Sequence, residues 1–429
     1  MDAPHIRSTL WPESSNNPAR LKYAPRTNGL EGSAKVPKQI TTFRGFLVQV
    51  LKLVIGLVVL LGVLLTIGYF VLRSQGISPF SLLPFPFPPT PTDIMNFMQM
   101  TMNTEPTKSL FEFTTFPGFT FAALFSTIIM VWVERKLVAK VQLRVGPQYA
   151  GRFEGVLQNF ADLFKLLFKE LVVPEQVDKG IFIAIPLAMM FVAGALLALV
   201  PVGPTTFIAD PPIGAVFVFA IISFTPLLVM LAGWSSNSKY SLLGALRALH
   251  QMVAYEIPML ISVVGIIVLA GSLDLVKIVD AQSSVWFILL QPLGAITFFL
   301  CVLAELERVP FDLPEADTEL VAGWMTEYGG MNFGIFTLAT YIKFYALAGV
   351  FTTFFLGGWW GPGLPAPVWF EIKTFIVMVV MMLPRAVMPR VRLDVLLQGG
   401  WTKLMILAFA NLLIAMLVLS LGLYHIGGV

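Results

Sequence analysis

The stretch EIPMLISVVGIIVLAGSL, residues 256 to 273, places one carboxylate directly before seventeen residues without a charged side chain. A helix that crosses the hydrocarbon core of a bilayer, about 30 Å thick, needs about 20 apolar residues. At about 1.5 Å per residue, the charge-free part alone is too short to cross. A spanning helix here therefore carries Glu256, with Tyr255 and Gln251, below the lipid headgroups.

The rest of the chain has the same character, with 57% hydrophobic and 12% charged residues and a mean hydropathy of +0.81. Soluble domains are about one quarter charged. Nine charge-poor runs are candidates for membrane-spanning helices: 46–72, 113–133, 181–202, 211–234, 251–273, 283–304, 331–356, 365–384 and 403–424. The sequence predicts an all-α polytopic membrane protein.

The distribution of Lys and Arg predicts the orientation, because cytoplasmic loops carry the excess of these residues. The connections 203–212 and 357–367 contain no Lys or Arg. Nine alternating helices then place the N-terminus in the cytoplasm and the C-terminus outside the cell membrane. The predicted division is a basic cytoplasmic tail (1–45), a transmembrane helix (46–72), a proline-rich outer connector (73–112) and a membrane domain (113–429).

The residues that usually hold cofactors are scarce. Cys301 is the single cysteine, which excludes a disulfide framework and a cysteine-ligated cluster. His5, His250 and His425 lie on a tail, a loop edge and the opposite face of the predicted topology, which argues against paired haem ligation. We therefore predict no metal or redox centre on this chain, and the absence of a glycine-rich phosphate loop argues against a nucleotide site.

Residues 154–171 predict an amphipathic helix rather than a span. Polar side chains at Gln158, Asp162, Lys165 and Lys169 recur at helical spacing among apolar ones. Such a helix is suited to the inner membrane interface. It serves either as a surface strut or as a floor over which an amphiphilic molecule enters.

Ionisable residues concentrate at a few points in or beside the membrane. The segment AELERVPFDLPEADTEL, residues 304 to 320, carries six carboxylates, and Lys343 stands near the middle of the run 331–356. A charge at the bilayer centre costs at least about 2.5 kcal/mol and is normally paired or in a wet cavity. Burial favours the uncharged form of both acids and lysines, so Glu256, Glu305, Glu307 and Lys343 are candidates for a proton relay. The alternative is that they form buried ion pairs that lock helices together.

Two segments carry a resemblance to a known family. GVLQNFADLFKLLFKE (155–170) and PFDLPEADTELVAG (310–323) resemble the signature segments of the H subunit of respiratory complex I, whose mitochondrial relative is NADH dehydrogenase subunit 1. ERKLVAKVQLRVGP (134–147) and TEYGGMNFG (326–334) support it. The resemblance runs from about Phe113 to the C-terminus and implies an eight-helix core, to which this chain adds one N-terminal transmembrane helix.

The resemblance implies a function. Members of this family join the hydrophilic arm of the complex to the membrane arm, form much of a quinone tunnel, and carry carboxylates that couple quinone reduction to proton translocation. The implied tunnel residues are Glu134, Arg135, Arg144, Asp162 and Lys165. The predicted relay residues are Glu256, Glu305, Glu307, Glu315, Asp317, Glu319 and Lys343.

The resemblance also implies the partners. Quinone is the substrate, while the iron–sulfur cluster and the donor cofactor belong to hydrophilic partner subunits. Antiporter-like membrane subunits and lipid are the other partners, and nucleic acid is not among them. NADH, reduced deazaflavin and ferredoxin are the alternative electron donors.

One departure from the family pattern is in the run 331–356. Ala339, Thr340 and Tyr341 stand where the family has Ala-Glu-Tyr, so a membrane Glu is missing. We expect Lys343 to pair with Glu307 or Glu256 and to reroute the relay. The competing functions are the anchor subunit of a membrane-bound hydrogenase-like complex without a quinone site, a self-contained secondary transporter, and a purely structural anchor.

Overall fold

The computed structural model describes residues 128–151, 155–204, 206–314, 321–362 and 365–421. Over these residues the chain is helical and contains no β-strand. The predicted tail, first helix and connector, together with the beginning of the run 113–133, lie outside the described residues. So do three predicted relay acids, Glu315, Asp317 and Glu319.

The described residues contain thirteen α-helices. They are α1 (128–141), α2 (Gln158–Phe168), α3 (Lys179–Leu199), α4 (Gly214–Ile222), α5 (Phe224–Ser235), α6 (Lys239–Ala270), α7 (Leu275–Ala281), α8 (Phe287–Leu290), α9 (Pro292–Glu305), α10 (Gly330–Phe355), α11 (Ala366–Val387), α12 (Leu393–Gln398) and α13 (Met405–Ser420). A π-helical segment, Gly399–Leu404, joins α12 to α13.

Six helical segments of the described chain are long and apolar enough to cross a membrane. They are Lys179–Leu199, Gly214–Ser235, Lys239–Ala270, Gly330–Phe355, Ala366–Val387 and Leu393–Ser420. Each overlaps a predicted run, so the prediction of an all-α polytopic membrane protein is confirmed.

The prediction of one continuous helix over 283–304 was wrong. The segment is divided into α8 and α9, and α9 has only 14 residues. Pro292 begins α9, where its missing N–H is not needed. The N–H of Gly294, which has no partner within the helix, donates instead to Asn411 Oδ1 on α13 (2.9 Å). A buried amide on a neighbouring helix thus supports the break.

Helix α6 is the centre of the bundle and packs against α5, α9 and α13. It begins at Lys239, well before the predicted boundary at residue 251, so the polar residues of that stretch lie on the helix itself. Gln251 donates to the Ala304 carbonyl of α9 (2.8 Å), and Tyr255 donates to the Leu396 carbonyl of α12 (3.0 Å). These buried bonds join α6 to its neighbours.

Pro258 lies inside α6 without ending it. Because proline has no N–H, the carbonyl of Ala254 lacks its usual helical donor. Gly400 of the π-helical segment packs here, and a Cβ at that position would lie 3.1 Å from the Ala254 oxygen. The π-helical segment therefore approaches α6 closely at the point where the proline frees a backbone acceptor.

Helix α10 is the second long element of the bundle and packs against α3 and α11. Its C-terminal half is almost entirely buried, and Phe351, Phe354 and Phe355 surround Phe298 of α9. The polar residues of α10 are therefore held on a helix whose position is fixed by packing of its C-terminal half.

Candidate functional site

A buried ion pair joins α10 to the end of α9. Lys343 Nζ lies 2.7 Å from Glu305 Oε1 and also donates to the Glu305 carbonyl at 3.1 Å. The two residues are only 6% and 2% exposed. The expectation that Lys343 pairs with Glu307 or Glu256 was therefore wrong, because its partner is Glu305.

The end of α9 explains this choice of partner. Glu305 is the last residue of α9 and still projects from the helix toward α10. Glu307 follows the turn and has a φ of +51°, a left-handed conformation that non-glycine residues seldom adopt. The turn directs its carboxylate toward the Trp324 indole, whose Nε1 donates to Glu307 Oε2 at 3.2 Å.

A small cavity lies beside the ion pair. Its volume of about 20 Å³ is enough for roughly one water molecule. Its lining includes Glu305, Glu307, Lys343, Thr225 and Thr340. Two acids, a lysine and two hydroxyls thus meet in one small cavity whose remaining lining is mostly apolar.

A larger cleft lies next to the small cavity and has a volume of about 340 Å³. Its wall combines charged and polar side chains with apolar ones. The lining residues are Leu306, Glu307, Arg308, Val309, Asp312, Ala322, Met325, Phe333, Thr337, Thr340, Tyr341 and Arg385. Leu306, Glu307 and Thr340 line both the cleft and the small cavity, so these residues separate the two spaces.

Glu134 lies behind the wall of the cleft and binds its two arginines, Arg308 and Arg385. It is 2% exposed and accepts hydrogen bonds from Arg308 and Arg385 through Oε1, and from Tyr341 through Oε2 at 2.8 Å. The Arg308 guanidinium also lies over the Phe344 ring, 5.1 Å from its centre. Burial disfavours the charge of Arg308, but Glu134 and Tyr341 outweigh it and raise the pKa of Arg308. Glu134 does not line the cleft itself; it fixes three residues that do.

Glu256 lies on α6 and accepts a hydrogen bond from Ser223, at the junction of α4 and α5. It does not line either of the two cavities described above. Glu256 is therefore part of neither the buried Glu305–Lys343 pair nor the two cavities.

The predicted tunnel residues on the amphipathic helix form a separate group. Helix α2 has no buried residue, and Arg135 of α1 contacts Asp162 of α2 at 2.5 Å. Burial opposes the charge on Asp162, but hydrogen bonds from Arg135 and Gln158 outweigh it and lower the pKa of Asp162. Lys165 and Arg144 are exposed. None of these side chains lines the 340 Å³ cleft.

Sequence reasoning missed five residues with polar roles. Arg308, Arg385 and Tyr341 line the cleft, and Glu371 and Lys373 lie within the predicted charge-poor run 365–384. Lys373 donates to the carbonyls of Leu356 (2.7 Å), Gly358 (3.1 Å) and Trp360 (2.7 Å). The sequence contained a signal for Glu371 and Lys373. They lie five and seven residues after the start of a spanning helix, where a charged side chain requires a partner.

No group of three His, Cys, Asp or Glu side chains within the described ranges is arranged to hold a metal ion. The polar groups of the site are instead two arginines, a tyrosine, a buried Lys–Glu pair and further carboxylates. Such groups can bind an amphiphilic molecule and respond to a change in its charge.

The fold and the site define a polytopic membrane protein with buried charges between its helices. The model of the family described as NADH dehydrogenase matches residues 115–416. The H subunit of the NADH-quinone oxidoreductase of Dehalococcoides mccartyi (strain ATCC BAA-2266 / KCTC 15142 / 195) is 44% identical over 289 residues, which are 67% of this chain and 81% of that protein. The protein of the same name from Bacillus thuringiensis (strain Al Hakam) is 42% identical over 307 residues, 70% of this chain and 92% of the relative. The chain belongs to the NADH dehydrogenase family.

Proposed function

We propose that this chain is the membrane subunit of a complex I-type quinone oxidoreductase, in which it binds quinone and couples its reduction to proton translocation. The observation that supports this most directly is that two adjoining spaces each present charged side chains. The cleft presents Arg308, Arg385 and Tyr341, the small cavity presents the Glu305–Lys343 pair, and Glu307 borders both. The relatives named as the H subunit of NADH-quinone oxidoreductase support the assignment of the substrate.

The chemistry of the cleft suits a quinone head group. Phe333, Met325 and Val309 supply apolar surface, while the arginines and the Tyr341 hydroxyl supply donors for quinone oxygens. A quinone that has accepted electrons but not yet the matching protons carries negative charge, which nearby guanidinium groups stabilise. In this proposal the electrons arrive from an iron–sulfur cluster on a hydrophilic partner subunit, and this chain supplies binding and electrostatics.

The buried pair supplies the coupling. A negative charge in the cleft repels the Glu307 carboxylate and makes proton uptake there more favourable. A proton that then reaches Glu305 through the small cavity neutralises the acid and leaves the Lys343 charge uncompensated. The uncompensated Lys343 charge repels further protons from this region. It therefore favours proton transfer toward Glu256 and the neighbouring membrane subunits.

The proposed topology follows from the distribution of charged and apolar residues. The N-terminus lies in the cytoplasm, the C-terminus lies outside the cell membrane, and α2 rests in the inner interface with its exposed apolar side chains in lipid. Phe160, Phe164 and Phe168 belong to that exposed surface. The acids at 315, 317 and 319 are proposed members of the relay on the strength of the resemblance alone.

Filling the cleft tests the proposed quinone site. Thr337 lines the cleft and donates to the Phe333 carbonyl at 2.9 Å. Thr337→Phe places a ring in the cleft, and we expect the KM for a short-chain quinone to rise about tenfold or more, equivalent to roughly 1.4 kcal/mol. Thr337→Val removes only the hydroxyl and is the matched control, with an unchanged KM expected.

The measurement is donor-dependent quinone reduction by the purified complex, with subunit content checked for each variant. Equal KM values for Thr337→Phe and the wild type would place quinone elsewhere. Hydrogen evolution without quinone turnover would instead favour the hydrogenase-like anchor.

Removing the charge of Glu256 tests the relay. Glu256→Gln keeps the size of the side chain and an acceptor for Ser223. We expect an assembled complex that reduces quinone but translocates fewer protons per quinone, as measured by internal acidification of sealed vesicles. Glu175→Gln changes an exposed carboxylate and is the control. Loss of the complex in Glu256→Gln alone would favour a structural ion-pair role.

A further inference from the structure

Three successive polar positions on α10 each bond to a carboxylate from a different element. Tyr341 donates to Glu134 of α1, Lys343 to Glu305 of α9, and Tyr345 to Glu371 of α11. The three positions span four residues, an axial rise of about 6 Å in a helix. Thus α10 carries a belt of three acid contacts, defined here as Glu134, Glu305 and Glu371 with their partners.

The members of the belt differ in how their charge is compensated. Glu134 faces two guanidinium groups and Glu305 faces one ammonium group. Glu371 faces the Tyr345 hydroxyl at 2.5 Å, and within the described ranges no Lys, Arg or His nitrogen lies within ion-pair distance of it. Lys373, two residues further along α11, is directed at three backbone carbonyls instead.

This environment favours the protonated form of Glu371. Tyr345 is 1% exposed and Glu371 is half-buried, so the bond joins a core hydroxyl to an acid at the edge of the bundle. Glu371 also lies in a membrane-spanning helix, where an ionised carboxylate without a cation is costly. A tyrosine hydroxyl donates one hydrogen bond but carries no charge to offset a carboxylate. The protonated acid accepts that bond on Oε1 and keeps its own proton on the other oxygen.

We propose that Glu371 is a further proton-binding carboxyl of the coupling machinery, bridged to α10 by Tyr345. The proposal rests on the proposed function. When a proton reaches Glu305, the positive charge of Lys343 loses its partner. Lys343 and Tyr345 lie two residues apart on α10 and point to different sides of the helix. The uncompensated Lys343 charge therefore acts on Glu371 across the helix, through an interior of low dielectric constant in which it favours the ionised carboxylate. Glu371 then releases its proton, and the net charge of the belt is unchanged.

The first test uses proton translocation by the whole complex in sealed vesicles. Glu371→Gln keeps an oxygen that accepts from Tyr345 but cannot bind an exchangeable proton. We expect the number of protons translocated per quinone reduced to fall to half or less, with subunit content and uncoupled quinone reduction unchanged. Asp394→Asn makes the same exchange of acid for amide at an exposed site on α12 and is expected to behave as the wild type. An unchanged ratio in Glu371→Gln would overturn the proposal.

The second test does not need turnover and separates this inference from the proposed function. Infrared difference spectra of the complex between neutral and alkaline pH report protonated buried carboxyls. We expect one such band to vanish in Glu371→Gln and to shift in Tyr345→Phe, because the hydroxyl bond is lost. Identical spectra in Tyr345→Phe and the wild type would contradict the assignment of this band to Glu371. This comparison remains decisive if Glu371→Gln fails to assemble. Absence of quinone reduction in the wild type would contradict the proposed function. It would not contradict the assignment of Glu371 as a protonated carboxyl bonded to Tyr345.

Discussion

Replacing Lys343 by Met is expected to stop most proton translocation while the complex retains part of its quinone reduction. The substitution removes the one cation that contacts Glu305 at ion-pair distance in the described chain. Removing one partner of a buried pair typically costs about 3–5 kcal/mol, because the other charge is left uncompensated. Glu305 can reduce that cost by holding a proton permanently, but a permanently protonated acid can no longer respond to quinone reduction.

The double variant separates charge from function. Lys343→Met with Glu305→Gln has no uncompensated charge, so we expect the thermal stability of the complex to recover relative to Lys343→Met alone. Proton translocation should stay low, because both titratable groups are gone. The measurements are the midpoint of thermal unfolding and the acidification of vesicles per quinone reduced. Normal translocation in the assembled single variant would rule out a role for Lys343 in coupling.

The spans were predictable from the sequence because their signal is local. A run of apolar residues of bilayer length needs no knowledge of its neighbours, and Gly330–Phe355 differs from the predicted 331–356 by a single residue at each end. The break before Pro292 was not predictable in this way. It depends on the buried side chain of Asn411, which lies 117 residues further along the chain than Gly294.

The partners of the buried charges depend on tertiary structure. The presence of Lys343 inside a span was enough to predict a partner, since an unpaired charge is costly there. The choice between Glu305 and Glu307 follows from where α9 ends and from the left-handed turn at Glu307, and neither is encoded in spacing alone. The residue at 305 was therefore a predicted relay member, but its bond to Lys343 was not predicted.

The cleft was only partly anticipated. The resemblance singled out Glu134, which is buried behind the cleft, whereas the sequence analysis did not single out Arg308 or Arg385, which line it. A loop arginine next to an acidic segment has many surface explanations, so its position in the wall became evident only from the packing of α1, α10 and α11. Glu371 is different, because a carboxylate inside a predicted span is itself a signal.

Replacing Glu134 by Gln is expected to have the second large effect. Glu134 receives three donors from three segments: the loop after α9, α10 and α11. The amide keeps an acceptor oxygen but removes the negative charge, so the largely buried Arg308 loses its counter-charge. We expect destabilisation of about 3–5 kcal/mol, the range for breaking a buried pair, together with a raised KM for quinone.

The surface pair Lys277–Asp274 on and before α7, which does not line the cleft, provides the control for Glu134→Gln. Its atoms lie 3.5 Å apart, and the Lys277 side chain is 70% exposed. Exposed pairs contribute at most about 1 kcal/mol, so Lys277→Gln should leave stability and the quinone KM nearly unchanged. A comparable loss in both variants would mean that removing the charge of any ion pair is damaging. A loss confined to Glu134→Gln identifies the carboxylate that positions the arginines, and a raised KM in the fraction that assembles would separate this positioning from simple loss of the fold.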